Sequence, residues 1–382
     1  MVDQSRREHI MSIAAAAAAL AFPARVLAAN PTIPILDRFT PQGLAKLRIG
    51  GDIPALGAAH AANGGRTTVV VDGRRSLDAT TPVTTGDLWH FGSITKSYTS
   101  TLVARMVEKG GISWDTTVVD ILGAAAPDMK EGYKRATFRH LCSHHAGLPA
   151  NINDSQSDTF PQKNSGDPRP DRLRYAAMAL ASEPVGALGE KMLYSNCGYV
   201  IAGAMLEVVY NQSWEQLLTA HVFKPLHQAS AGYGAPGSIG KLDQPLGHML
   251  DGDPPRLIPV RLDKPDVFAD NPAVLGPAGV VHMTLADMIK YLNAHLLMPE
   301  TFLHPDSWKI LHTPPFGGNY AMGWTTRPDG QIWHNGSNNR WYAEVLVDFS
   351  RKRVAVSSSN DGDWKSVVPV VSALLKGAID TA

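Results

Sequence analysis

The stretch that decides the reading is Trp89 to Gly111, WHFGSITKSYTSTLVARMVEKGG. Ile94, Tyr98, Leu102 and Met106 recur every fourth residue and so share one face of a helix. Lys109 and Gly110-Gly111 supply its stop signal. Ser93 falls on the first turn, where backbone N–H groups lack intrahelical acceptors and the helix dipole favours negative charge. Lys96, three residues on, lies one turn away on the same side, within reach of the Ser93 hydroxyl. This is a nucleophile with its own base. A second S-x-x-K, Ser238 to Lys241, follows Pro236-Gly237 and contains a glycine, so no helix aligns its side chains.

Around this stretch the chain is 382 residues, with 44% hydrophobic and 18% charged residues, the balance of a folded globular protein. Lys+Arg and Asp+Glu are both 35, so no basic footprint points to nucleic acid or an anionic membrane. Two cysteines, Cys142 and Cys197, exclude a disulfide framework and a four-cysteine zinc site, and leave one bridge between them open. At the N-terminus, Arg6-Arg7 precede an alanine-rich apolar run from Ile10 to Phe22, and Val26-Leu27-Ala28 or Leu27-Ala28-Ala29 then offers a cleavage site. That run is shorter than the roughly 18 residues a membrane span needs. It predicts a cleaved signal peptide over 1–29, of the twin-arginine type, and a periplasmic or secreted protein with no stable membrane span after its removal. An uncleaved N-terminal helix is the alternative.

In the remainder, 30–382, Thr40 and Pro41 open a short helix at Phe39 to Arg48. Ala55 to Ala62 and Thr67 to Val71 read as strands joined through Asn63-Gly64-Gly65. Helical patterns follow at Thr137 to Ser143, Leu173 to Ser182, Gly198 to Tyr210, Trp214 to His221 and Leu285 to Leu297. Strands return at Ala321 to Thr326, Gln331 to His334, Ala343 to Val347 and Arg353 to Ser357, and a helix at Val367 to Ile379 closes the chain. Strands at both ends with helices between predict an α+β fold. Its antiparallel sheet would come from 39–85 and 320–382, flanked by N- and C-terminal helices, with 88–300 a large helical insertion. Asn151 to Arg172 and the proline-bearing Leu242 to Gly279 read as long loops, the kind that form functional rims or covers.

Two further elements carry candidate chemistry. In EKMLYSNCGY, read as extended, Tyr194 and Asn196 share a side and could both face one cleft. A tyrosine beside a lysine can relay protons and an asparagine amide can orient a carbonyl; taken alone, Tyr194 fits a core aromatic capped by its hydroxyl better than a catalytic group. Tyr291-Leu292-Asn293 has the same spacing but lies inside a helix, where residues two apart diverge. His334-Asn335-Gly336-Ser337 ends a strand, and Gly336 lets the backbone come close to a ligand so that the following N–H can serve an oxyanion. His144 and His145 lack an HExxH pattern or clustered carboxylates, so no metal or other cofactor is expected. Asp115, Asp120 and Asp287 read as helix-end and turn residues. No G-x-S-x-G elbow occurs.

Taken in order, Ser93-Lys96, Tyr194-Asn196 and His334-Gly336 resemble the serine β-lactamase and penicillin-binding superfamily. The closer likeness is to its class C-like branch, which includes family VIII-type carboxylesterases and D-amino-acid peptidases. Thr137 to Pro149 (TFRHLCSHHAGLP), Ile112 to Leu122, Leu275 to Tyr291 (LGPAGVVHMTLADMIKY) and Tyr320 to Trp324 (YAMGW) extend it. The resemblance implies a β-lactamase/transpeptidase-like fold and Ser93 as acylated nucleophile with Lys96 as its base. It implies that Tyr194 passes the proton to the leaving group, Asn196 contacts the acyl side chain, and the N–H groups of Ser93 and Ser337 form the oxyanion hole. A Lys96 that works as a base near pH 7 must sit about three units below ~10.4, at a cost on the order of 4 kcal/mol. β-Lactamases and peptidoglycan peptidases carry lysine where this chain has His334. A neutral histidine suits a neutral ester or amide better than an anion. The expectation is an exported hydrolase acting on a small ester, amide or peptide: a carboxylesterase first, then an exopeptidase or D-amino-acid amidase, then a β-lactamase. The reading of another class is a catalytically silent penicillin-type binding or sensor module.

Overall fold

The computed structural model describes residues 39–161, 166–263 and 268–380; the expected signal peptide lies outside them. Its centre is a six-stranded antiparallel sheet. The strands are β1 (Ala55–Ala62), β2 (Thr68–Gly73), β3 (Thr325–Arg327), β4 (Gln331–Ser337), β5 (Tyr342–Asp348) and β6 (Arg353–Ser359). They lie in the order β2-β1-β6-β5-β4-β3, so the two ends of the chain meet where β1 pairs with β6.

One face of the sheet is closed by helices α1 (Pro41–Gly50) and α6 (Trp364–Asp380). Thr40 caps α1 by accepting the Gly43 N–H, with proline in the first turn, as the sequence predicts. Leu44 and Leu47 of α1 pack with Val367, Val371 and Leu374 of α6 over the inner side chains of β1 and β2. The opposite face receives the helical half, anchored by α2 (Thr95–Lys109) and α5 (Leu285–Leu297), with α3 (Arg169–Ala181) and α4 (Asn196–Tyr210) beyond.

Helix α2 departs from the one-faced helix that its periodicity suggests. Every residue from Thr95 to Ala104 is buried. Its hydroxyls are accommodated by bonds: Ser97 to the Ile94 carbonyl (2.8 Å), Thr99 to the Pro277 carbonyl (2.7 Å) and Thr101 with Tyr291 (2.9 Å). Hydroxyls so paired escape the desolvation cost of burial, which lets a Ser/Thr-rich helix run through the core.

Three expectations need correction. Ala321 to Thr326 is strand only from Thr325, because Gly323, at φ +77°, turns the preceding residues against the Ser97 backbone. The 242–279 segment is not structureless: His248–Asp251 pairs with Arg256–Pro259, and Ala273–Leu275 and Gly276–Gly279 are short helical turns. A small sheet that the sequence reading missed joins Trp89–His90, Val281–Met283 and Gly232–Tyr233. It is the mount on which the Ser93 turn is built. No helix among the described residues is long and apolar enough to cross a membrane.

Candidate active site

The chain leaves Trp89–His90, turns at Gly92 with φ +46°, and enters a single 3-10 turn, Gly92–Ile94, that runs into α2. Only glycine takes that φ without strain, and a Cβ there would lie 2.4 Å from the Ser337 nitrogen. Ser93 is thus held at the mouth of α2 against the end of β4. Lys96 Nζ lies 2.9 Å from Ser93 Oγ and donates to the Ala278 carbonyl at 2.8 Å. Lys96 is fully buried, and burial holds its amine well below the ordinary lysine value. The Tyr194 and Tyr199 rings lie 4.8 and 5.7 Å from Nζ. A neutral amine of this kind keeps one N–H on Ala278 and can turn its lone pair to the serine hydroxyl.

Tyr194 ends the segment ahead of α4. The expectation that Tyr194 and Asn196 share an extended run is corrected here. Ser195 is the N-cap, taking the Gly198 N–H, and Asn196 is already the first residue of the helix. Tyr194 is instead fixed by its flanks. Leu193 N–H reaches the His144 carbonyl (2.8 Å), Ser195 N–H the His144 Nδ1 (3.0 Å), and Ser195 Oγ donates to Pro149 (2.6 Å). The Tyr194 phenol is pushed up by burial, partly offset by a hydrogen bond with Ser93. Asn196 donates to Asn151 Oδ1 at 2.9 Å, tying the site to the 151–172 connection.

His144 holds this wall, with its ring 4.3 Å from that of Tyr194 and 4.7 Å from that of Tyr320. Its Nδ1 accepts the Ser195 N–H, so a neutral ring carries its proton on Nε2, a buried atom with no bonding partner among the described residues. Burial, then Lys96 and His334, keep it well below the usual histidine value.

The third wall is the end of β4. A Cβ on Gly336 would lie 2.0 Å from the Phe91 carbonyl oxygen and 2.7 Å from the Ser93 nitrogen. The bare glycine lets β4 press its backbone onto the Ser93 turn, bringing the Ser337 nitrogen beside Gly92. His334, 1% exposed, faces inward. Its Nδ1–H donates to the Asn335 carbonyl, so Nε2 accepts the Tyr320 hydroxyl at 2.9 Å. Burial first, and Lys96 second, push it down to about 3, with the Asn335 carbonyl opposing. Both ring nitrogens are therefore already engaged within the protein. Tyr320, Tyr199 and the Ala278 carbonyl were not singled out by sequence reasoning; YAMGW held Tyr320, but nothing local distinguishes it from a core aromatic.

The second S-x-x-K does not join the site: Ser238 Oγ bonds Asp243 in a surface turn. Cys142 and Cys197 are buried free thiols, both pushed up to about 12 by burial. Asp120 closes a capping box, Asp115 pairs with Arg139, and Asp287 with Lys290.

A family model described as Beta-lactamase matches residues 45–374. The chain belongs to the beta-lactamase family. It is 30% identical over 233 residues to penicillin-binding protein 4 of Amycolatopsis lactamdurans, covering 60% of this chain and 55% of that protein. The chain spans about half the length of the curated relatives it matches. Among solved structures it shares its fold with D-amino acid amidase from Ochrobactrum anthropi SV3 (TM-score 0.71, 18% identity, 90% and 98% of the two chains). It also does so with EstCE1, described as a hydrolase with promiscuous acyltransferase activity (TM-score 0.70, 17% identity, 89% and 98%).

Proposed function

We propose that this beta-lactamase-family protein is a carboxylesterase that works through an acyl-enzyme on Ser93. The observation that carries the reading is the 2.9 Å approach of Ser93 Oγ to Lys96, whose amine burial holds well below the ordinary lysine value. Lys96 takes the Ser93 proton as Oγ attacks the ester carbonyl, and the N–H groups of Ser93 and Ser337 hold the oxyanion. Tyr194 hands a proton to the departing alkoxide and takes one back from Lys96, which restores the neutral amine. In deacylation Lys96 takes a proton from the attacking water and the Ser93 alkoxide leaves with a proton from Tyr194, which Lys96 again replaces. The preference for a neutral acyl group rests on His334, neutral and engaged by Tyr320 and Asn335, at the position where β-lactamases carry lysine.

Amide cleavage is the second reading, because a proton donor bonded to the nucleophile, as Tyr194 is, serves an amine leaving group as well as an alkoxide. A panel of p-nitrophenyl esters, peptide amides, D-amino-acid amides and nitrocefin decides between them, with fluorophosphonate labelling that Ser93→Ala abolishes as the test of the nucleophile. Rapid nitrocefin turnover without esterase activity refutes the preference. An adduct on Ser93 that never clears favours a sensor. Export through residues 1–29 is part of the proposal; Arg6→Lys with Arg7→Lys is expected to leave the protein in the cytoplasm on cell fractionation.

A further inference from the structure

The nucleophile turn and the end of β4 belong to segments more than 240 residues apart, yet an oxyanion hole requires their two N–H groups to hold one fixed separation. A carboxylate lies between them. Both Asp270 oxygens lie 2.9 Å from His90 Nε2. His90 is fully buried and its Nδ1 accepts the Gly92 N–H at 3.1 Å. A neutral His90 therefore carries its proton on Nε2, which donates to Asp270. On the other side, Asp270 Oδ1 accepts the Asn338 side-chain N–H at 2.8 Å. The orientation of that amide is fixed, because Asn338 Oδ1 takes the backbone N–H groups of Arg340 (3.2 Å) and Trp341 (3.1 Å). The carboxylate thus links, through His90, the residue before Ser93 and, through Asn338, the residue after Ser337. Asp270 is itself held by the Asn271 N–H at 2.7 Å, and the Asn271 side chain donates to the Gly279 carbonyl at 2.8 Å.

We infer that Asp270, acting through His90 and Asn338, is a positioning residue that sets the separation of the Ser93 and Ser337 N–H groups. It touches no reacting atom. The inference rests on the assignment of Ser93 as nucleophile. The carboxylate form suits the task because it accepts from two donors at once; an amide in its place must turn its NH2 against one of them.

The test uses Asp270→Asn and Asp270→Ala in the full chain, with a p-nitrophenyl ester and its thiono analogue. Sulfur accepts hydrogen bonds poorly, so an intact oxyanion hole favours the oxygen ester strongly. A displaced hole is expected to lower kcat by ~10²-fold with KM nearly unchanged, and to collapse the oxygen-to-sulfur rate ratio. A purely structural role would lower thermal stability and leave that ratio intact. If Asp270→Ala does not fold, His90→Leu and Asn338→Ala each cut one arm, and each is expected to lower the ratio. Wild-type kcat or an unchanged ratio in folded variants overturns the inference. Fluorophosphonate labelling that survives Ser93→Ala overturns the nucleophile assignment, and this inference with it, by a separate signal.

Discussion

Gly336→Ala tests the geometry of the site most directly. An added Cβ would meet three backbone atoms: the Phe91 oxygen at 2.0 Å, the Ser93 nitrogen at 2.7 Å and the Ile94 nitrogen at 2.9 Å. No side-chain rotation relieves such contacts. Strand β4 must retreat from the Ser93 turn by about 1.4 Å to restore ordinary carbon–oxygen separations. The Ser337 N–H, one residue on, moves with it. Oxyanion donors act within a narrow distance window, and losing one costs about 10²–10³ in kcat, or roughly 2.7–4 kcal/mol of barrier. Overpacking in the sheet adds about 1–3 kcal/mol of lost stability. Steady-state hydrolysis of a p-nitrophenyl ester and thermal unfolding separate the two effects. Gly86→Ala is the control, since a Cβ there meets nothing closer than 3.9 Å and needs no unusual backbone angle. A folded Gly336→Ala variant with kcat within a few-fold of wild type would refute the placement of the Ser337 donor.

Lys96→Met is expected to slow both ester turnover and fluorophosphonate labelling by about 10²–10⁴-fold. The wild-type acid limb should fall well below the ordinary lysine value, because the base is lost only as pH drops through the depressed Lys96 pKa; a rate that rises only near pH 10 would contradict the mechanism. His334→Lys puts an ammonium beside Lys96 and should raise the nitrocefin-to-ester rate ratio by about tenfold, the worth of a modest ionic contact; an unchanged ratio removes His334 from substrate selection. The buried His248 and His334, pushed down to about 4 and about 3 by burial, stay neutral in the fold while the unfolded chain titrates near 6.5. Their stabilisation is complete above 6.5 and is lost as pH falls toward those values, on the order of 2 kcal/mol each by pH 5. Asp361, raised to about 7 by burial, works in the opposite sense and offsets part of this. Urea midpoints at pH 7.5 and 5 should show a net loss, and a flat profile would count against the neutral histidines.

What the sequence revealed followed from how local each feature is. The Ser93-Lys96 pair was legible because one helical turn determines its geometry, and the hairpin, the α1 cap and the span of α5 were legible for the same reason. The six-stranded sheet followed from strand patterns at the two ends of the chain. Tyr194 could be picked out, but not the way it is held, since His144 and Pro149 reach it from a segment some 45 residues earlier. The extended reading of Tyr194 to Asn196 failed because the Ser195 hydroxyl competes for the backbone and starts a helix. His334 was placed at a strand end, but its closed hydrogen-bond set depends on Tyr320, which reaches it across the short strand β3.

The stretch that resisted most, 242–279, explains how a buried lysine can be useful. Burial that lowers the Lys96 pKa solves only half the problem, because in the proposed mechanism a lone pair pointing away from Ser93 would be idle. Its direction is set by which acceptor takes the amine's N–H, and that acceptor is the Ala278 carbonyl, a group that any residue could supply and no sequence pattern marks. The carbonyl's position depends on its own supports. Thr99 bonds the neighbouring Pro277 carbonyl, and Arg172 donates to the carbonyls of Ala273 and Val274. Arg172 is fully buried and is held in turn by Glu207 and by Glu215, the latter at 2.7 Å. A buried ion cluster is a poor source of net stability but a good source of fixed geometry. Here that geometry runs from Arg172 through four residues of backbone to the carbonyl that takes the Lys96 N–H and would aim the proposed base.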